Sequence, residues 1–175
     1  MKRIAITTAV AVAASVCAIA TSSAATDELP QPHHLAAASQ NAKVVTAARR
    51  YAAFWNTGDA SYAQAALAPD FIDRTLPAGR PQGPTGPLAA SQAFREAVPD
   101  LRAEIDEMVV FGDRVSVHLH FHGHFSGRFG NVQGQGQSID FQAFDLYRVA
   151  GGRIAENWHL EDNLSLMQQL GAIAR

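Results

Sequence analysis

Four histidines at alternate positions are the first residues whose spacing could do chemistry: His118, His120, His122 and His124. They would line one face of a strand, where imidazoles at positions i and i+2 can chelate zinc or copper. A metal would need three of them, or a carboxylate from elsewhere, because the sole cysteine, Cys17, lies in the N-terminal apolar run. Strand geometry alone also explains the alternation and places them on a polar face, in solvent or in a dimer interface. We therefore predict no resident metal.

Acid–base chemistry is the other option, carried by Asp145 and His159. The neighbours of Asp145 are apolar, so its carboxyl could act as an acid inside a pocket or pair with an arginine for structure. His159 could shuttle protons at neutral pH or be a solvated residue at a sheet edge. A tight turn at Gly151-Gly152 would place Asp145 near Trp158 or His159 on the returning strand.

The elements that must position these residues are helices first and strands afterwards. Apolar residues recur at helical spacing from Asn41 to Trp55, a short helix follows to about Leu67, and another spans Leu88 to Val98. Beyond Asp100 the period changes to two, which predicts three or four long antiparallel strands and a short closing helix. This order indicates an α+β fold. A curved sheet wrapped around a long helix would leave a concave pocket for a small ligand.

Composition and missing motifs exclude several functions. The net charge is −2 at pH 7 and no basic cluster exceeds Arg49-Arg50, so nothing indicates a nucleic-acid or acidic-membrane partner. The sequence has no nucleophile elbow, phosphate-binding glycine loop or dinucleotide fingerprint. Covalent catalysis and nucleotide use are disfavoured, and we predict no cofactor.

The N-terminus is typical of an exported protein. Lys2 and Arg3 precede an apolar run, and Ser23-Ala24-Ala25 suits a signal peptidase, so we predict a signal peptide over residues 1–25. The alternative is a retained membrane anchor. Cleavage after Ala25 would give a secreted or periplasmic protein without stable membrane insertion and without a thiol, since Cys17 is the sole cysteine. Residues 26–40 are expected to be a flexible lead-in, with one domain over 41–175.

Three groups of residues, spread from Ala48 to Gly171, resemble the SnoaL-like polyketide cyclases, or ester cyclases, of the NTF2-like superfamily. Their most distinctive pieces are Phe54-Trp55-Asn56-Thr57-Gly58-Asp59, Val98-Pro99-Asp100-Leu101 and Gly152-Arg153-Ile154-Ala155-Glu156-Asn157-Trp158. The resemblance implies a cone-shaped α+β fold with an interior pocket. Characterised members close polyketide rings by an intramolecular aldol reaction, with a pocket carboxylate as acid and base and no cofactor. Dimers are common in this fold, so a homodimer is expected from the resemblance.

The resemblance also implies site residues. Asp162 matches the aspartate of the family's Trp-x-x-x-Asp segment and would be the acid/base, with Asp145 or His159 assisting; alternatively, it caps the last helix. His159 departs from the family, because many relatives have an acidic residue after the tryptophan. Arg74 stands where relatives often have histidine and would either favour a more anionic or carbonyl-rich ligand or be a surface arginine. Pocket or core walls are expected from Trp55, Phe71, Phe94, Phe144 and Trp158.

Two functions remain open, with a third weaker one. The first is cofactor-free proton transfer on a carbonyl or polyketide-like compound, as a cyclase, isomerase or lyase, with a small apolar or carbonyl-containing molecule as substrate. The second is an exported, non-catalytic carrier of a small ligand. The third is a metal binder that uses the histidine strand.

Overall fold

The structure, a computed structural model, describes residues 29–37 and 41–174. The predicted signal peptide, with Cys17 and cleavage after Ala25, lies outside these residues. None of the helices within the described ranges is both long and apolar enough to cross a membrane.

The chain folds as an α+β domain, as predicted. In chain order its elements are β1 (His34–Ala37), α1 (Ala42–Thr57), α2 (Ala60–Ala66), β2 (Leu67–Asp73), α3 (Thr85–Ala97), β3 (Arg102–Phe111), β4 (Arg114–Phe125), β5 (Arg128–Phe129), β6 (Val132–Gln133), β7 (Gln137–Ala150), β8 (Arg153–Glu161) and α4 (Asn163–Gln169).

The long helix α1 fills the concave side of the sheet. Val44, Ala48 and Tyr51 recur at helical spacing and are buried, so one stripe of the helix faces the core. The helix ends at Gly58, whose φ of 76° lets its N–H reach the carbonyl of Phe54 at 2.7 Å. That left-handed position favours glycine, which has no Cβ to clash. The helix predicted from the spacing between Asn41 and Trp55 is confirmed and extends two residues further, to Thr57.

The main sheet has six strands in the order β1-β3-β4-β7-β8-β2. The central strands β3, β4, β7 and β8 are antiparallel neighbours, while β1 and β2 pair in parallel at the two edges. Alternation fixes the two faces: Val115, Val117 and Leu119 are buried towards the helices, and Ser116 and His118 between them point to the other side. Antiparallel hairpins of this kind confirm the period-two prediction.

The segment before α1 contains a strand that its composition does not predict. His34–Ala37 pairs with residues 107–110 of β3, although all four of its side chains are exposed. Backbone hydrogen bonds along an exposed strand edge need no apolar side chains, so the sequence carries no signal for them. Within residues 26–40, where we expected a flexible lead-in, this part is a paired edge strand.

The outer face of the sheet carries an apolar patch. Phe144, Leu146, Trp158 and Leu160 are adjacent in the pairing of β7 with β8, and Leu160 is 75% exposed. Most large apolar residues of a folded domain face its core, so a contiguous exposed group indicates a contact surface. We call these four residues the outer patch.

Candidate active site

A cavity of about 550 Å³ lies between the inner face of the sheet, α1, α3 and the loop that follows β2. Its apolar walls include several aromatic side chains, among them Tyr51, Trp55, Phe94, Phe121 and Phe141. Polar residues line it too, and five of them come from β2, β7 and β8: Asp73, Asp145, Asn157, His159 and Glu161. An apolar hollow of this size with a few convergent polar groups is the usual form of a small-molecule site.

Asp145 is a buried carboxylic acid on β7, with 6% of its surface exposed. Among the described residues, the side chain that hydrogen-bonds to it is Tyr147, two residues along the strand on the same face, whose hydroxyl donates to Oδ2 at 2.5 Å. Burial raises the pKa of Asp145 to about 7, against the smaller opposing effects of the Tyr147 hydrogen bond and the His159 charge. A carboxyl with that pKa can both take and return a proton near neutral pH.

His159 lies directly opposite Asp145 in the pairing of β7 with β8. Its Nδ1 is 2.7 Å from Glu161 Oε1, and its Nε2 is 3.1 Å from each carboxylate oxygen of Asp73. Burial alone would lower the pKa of His159, but the hydrogen bonds and charges of Glu161 and Asp73 outweigh it and raise the pKa to about 9. At neutral pH the imidazole is therefore a fixed positive charge beside Asp145, with both ring nitrogens occupied.

Asn157 supplies an amide to the same wall. It is two residues before His159 on β8, is 3% exposed and lines the cavity. Its Oδ1 is buried and has no hydrogen-bond partner among the described residues. Buried polar atoms are normally paired, so an unpaired one at a cavity wall is suited to a bound ligand. The Asn157 amide can accept from or donate to such a ligand.

The loop after β2 is fastened to this cluster by Asp73. Its backbone N–H donates to the Gln82 side chain at 2.8 Å, and the Gln82 amide donates to its carbonyl at 2.9 Å. Thr75 adds two links, because its N–H donates to Asp73 Oδ1 and its hydroxyl accepts from the N–H of His159. Asp73 therefore fixes both the imidazole and the base of the loop that covers the cavity.

Asp162 does not project into the cavity, and that expectation is wrong. Strand β8 turns Asn157, His159 and Glu161 inwards and ends at Glu161, so the next residue leaves the sheet. Asp162 is exposed and caps α4: its Oδ1 accepts from the N–H of Ser165 at 3.0 Å and its Oδ2 from the Ser165 hydroxyl at 2.6 Å. Those bonds hold the pKa of Asp162 below its ordinary value. The capping alternative is confirmed.

Three of the other predicted pocket residues also lie elsewhere. Trp158 is on the outer face under the guanidinium of Arg114, and Phe144 is there too, stacked on His118 with ring centroids 4.2 Å apart. Arg74 is exposed and its Nε donates to Glu156 Oε2 at 2.7 Å, so the surface alternative holds.

The remaining aromatic predictions are confirmed as core or wall. Trp55 and Phe94 line the cavity, and Phe71 is buried in the core. Asp73, Asn157, Glu161 and Tyr147 were missed by the sequence reasoning. Three of them could have been found from strand geometry, because residues two positions apart lie on the same face of a strand. Asn157 and Glu161 stand two positions from His159, and Tyr147 stands two positions from Asp145.

The histidine strand forms a series of separate pairs. His120 is 2.8 Å from Asp140, His122 is 3.4 Å from Glu104, and His124 is 2.7 Å from Asp100. Within residues 29–37 and 41–174, no group of three or more histidine, cysteine or acidic side chains is arranged to hold a metal ion. These three imidazoles each meet a carboxylate of a neighbouring strand or loop, while His118 stacks on Phe144.

The fold and the cavity together define a class: α+β proteins with an aromatic hollow that contains acid–base groups. Residues 45–170 match the SnoaL-like polyketide cyclase family, and the chain belongs to that family. No functionally curated protein matches the chain.

Solved structures agree with this assignment. A candidate polyketide cyclase from Bacillus cereus ATCC 10987 is 41% identical with a TM-score of 0.75, over 84% of this chain and 96% of that one. TsrD from Streptomyces laurentii is 26% identical with a TM-score of 0.69, over 77% and 99%. IdmH from Streptomyces antibioticus, also a candidate polyketide cyclase, is 26% identical with a TM-score of 0.66, over 73% and 98%.

Proposed function

We propose that this protein catalyses cofactor-free proton transfer on a carbonyl compound of polyketide type, as a cyclase, isomerase or lyase. The observation that carries the proposal is the pairing of Asp145, whose pKa is about 7, with a cationic His159 inside an aromatic cavity. Perturbed titratable groups of this kind concentrate at active sites.

Asp145 is assigned as the base because the other two carboxylates are already engaged. Asp73 and Glu161 both contact His159, whereas the donor to Asp145 in the described part of the chain is a neutral phenol. Asp145 takes a proton from the carbon beside the substrate carbonyl, and the C–H electron pair moves into the enolate. The protonated Asp145 then returns that proton to another carbon or oxygen atom of the substrate, so that no external acid is consumed.

Asn157 and His159 are assigned to the charge that develops on the substrate oxygen. The Asn157 amide can donate to an enolate or alkoxide oxygen, and the His159 cation opposes its negative charge without giving up a proton. In a cyclisation the enolate carbon attacks a second carbonyl carbon, a C–C bond forms, and the new alkoxide receives the proton held by Asp145. The aromatic walls would fold the substrate so that the two carbons meet.

The test uses molecules that the protein itself selects. Small molecules that co-purify with the full chain would be identified by mass spectrometry and then incubated with fresh protein and with buffer. We expect a carbonyl compound that the protein converts to an isomer, a dehydrated product or a cyclised product. A carbonyl compound returned unchanged would contradict catalysis and favour the second function, a carrier.

The carrier function is favoured by the predicted signal peptide, because polyketide tailoring is ordinarily a cytoplasmic task. We propose export of this chain to the periplasm or the medium, which N-terminal sequencing of the mature protein would test. A chain that begins near Thr26 is the expected result, and retention of the N-terminal residues would contradict cleavage after Ala25.

We also propose that two copies associate through the outer patch. Phe144, Leu146 and Leu160 are exposed at its centre, and paired histidines, arginines and carboxylates surround it. A rim with both charge signs is self-complementary about a two-fold axis, which favours a second copy as the occupant.

Leu160→Asp should therefore convert a dimer into a monomer, because it places a charge at the centre of the buried contact. Light scattering after size exclusion measures the mass directly. Leu164→Asp is the matched control, since Leu164 is 63% exposed but lies on α4, and this variant should remain a dimer. A monomeric wild-type protein, or a dimeric Leu160→Asp variant, would contradict this interface.

A further inference from the structure

The cavity also has two arginines that the proposed reaction does not use. Arg80 lies in the loop between β2 and α3 and is half-buried, while Arg128 begins β5 and is exposed. Both line the cavity. Because the acid–base residues are buried and these two reach solvent, the two guanidiniums lie on the mouth side of the cavity.

Neither guanidinium has a hydrogen-bond or ion-pair partner among the described residues. Five other arginines do: Arg49, Arg74, Arg95, Arg148 and Arg153 donate to backbone carbonyls or to Glu156. A guanidinium offers five N–H donors in a planar fork that matches a carboxylate. The guanidinium N–H donors of Arg80 and Arg128, which come from separate segments of the chain and line one cavity, are therefore available to a ligand.

The distribution of charge fixes which part of a ligand they would hold. The inner wall carries the carboxyls of Asp73, Asp145 and Glu161 around the imidazolium of His159. Arg80 is near enough to act electrostatically on Glu161, but the carboxyls still outnumber the cations there, which disfavours an anionic group. Glu96 is exposed and also lines the cavity, so Arg80, Arg128 and Glu96 together carry one net positive charge. One positive charge complements a monoanionic carboxylate better than a dianionic phosphate.

We propose that the ligand is an amphipathic carboxylate, whose apolar body fills the aromatic cavity while Arg80 and Arg128 bind its carboxylate at the mouth. The position of the reacting carbonyl beside Asp145 rests on the proposed function. Selectivity for a carboxylate is independent of that function, because a carrier would have it as well.

The test compares naphthalene-2-acetate with naphthalene-2-acetamide, which has nearly the same shape without the charge. The chain has two tryptophans, and Trp158→Phe removes the one on the outer face, so the fluorescence of Trp55 in the cavity wall reports binding. At pH 6, we expect the acid to bind about tenfold more tightly than the amide, since two partly exposed ion pairs are gained.

Arg80→Gln combined with Arg128→Gln should reduce that preference to less than about twofold and leave the affinity for the amide unchanged. Arg74→Gln is the matched control, because it removes the same charge from the surface beside β2 and should keep the full preference.

Equal binding of acid and amide by the wild-type protein, no binding of either, or a preference that survives the double substitution would overturn the proposal. Tighter binding of 2-naphthyl phosphate than of the acetate would overturn the assignment to a carboxylate. None of these readouts requires turnover, so an inactive protein that discriminates acid from amide would refute the proposed reaction alone.

Discussion

Asp145→Asn is expected to lower turnover by at least about a hundredfold, the smaller end of what a general acid/base contributes. The substitution keeps an oxygen that can accept the Tyr147 hydroxyl, so the cavity wall should be preserved while the transferable proton is lost. Steady-state rates with the substrate identified from the co-purifying material would measure the loss. Binding of that substrate should be retained.

The same variant should be more stable than the wild type at alkaline pH. The folded-state pKa of Asp145 is raised from 3.8 to about 7, so ionising this carboxyl costs folding free energy that grows as pH rises from about 4 to 7. When the carboxyl is fully ionised, this cost is roughly 4 kcal/mol, because each unit of difference between the folded and unfolded pKa corresponds to 1.36 kcal/mol. Chemical denaturation at pH 8.5 should show a gain for Asp145→Asn that shrinks towards pH 4.

Asp162→Asn serves as the control for that experiment. It makes the same chemical change at the exposed cap of α4, and asparagine can still accept from the N–H of Ser165. Turnover and alkaline stability should therefore match the wild type. Retained activity in Asp145→Asn, or lost activity in Asp162→Asn, would contradict the assignment of Asp145. The acid/base role would then return to Asp162, the residue that the family resemblance indicates.

His159→Leu should destabilise the protein strongly, by about 3–5 kcal/mol at pH 6.5, because it leaves Asp73 and Glu161 without their buried counter-charge. The folded-state pKa of His159 is raised from 6.5 to about 9, so its stabilisation is complete below pH 6.5 and is lost as pH rises towards and through 9. The difference in unfolding free energy between variant and wild type should follow that course when measured by urea denaturation at several pH values.

His120→Leu is the matched control for His159→Leu. It breaks a histidine–aspartate pair whose carboxylate side chain is 67% exposed, so the expected loss is less than about 1 kcal/mol. Similar losses in the two variants would show that the His159 cluster is no more than another solvent-screened surface pair.

The strand β8 shows how far the sequence could predict the site. Trp158 and Asp162 were both expected at the pocket, but Trp158 shares the outer face of the strand with Leu160, and Asp162 lies beyond its end. An apolar face ordinarily marks the core, and here the rule inverts because the inner face carries the polar groups of the cavity. Alternate side chains of a strand point to opposite faces, so choosing the wrong face of β8 as the inner one misplaced the residues expected at the pocket.

The long-range contacts were beyond the sequence for a different reason. Asp73 and His159 are 86 positions apart, and their contact depends on the parallel pairing of β2 with β8 at the sheet edge. Nothing in the local pattern of Phe71-Ile72-Asp73 indicates that partner. By contrast, the Gly151-Gly152 turn narrows the partner of Asp145 to Trp158 or His159. Counting from the pair Ala150–Arg153 gives Trp158, and the register shift between Arg148 and Val149 moves the partner to His159.

The pKa of Asp145 in the ligand-free protein tests the central claim most directly. Carbon-13 labelling of aspartate side chains, with Asp145→Asn to assign the resonance by its disappearance, would follow the carboxyl through a pH titration. A midpoint near 7 is the predicted result, because the carboxyl lies in an apolar hollow. A midpoint near 3.8, the ordinary value for aspartic acid, would mean that water solvates this group and that the cavity has no base suited to neutral pH.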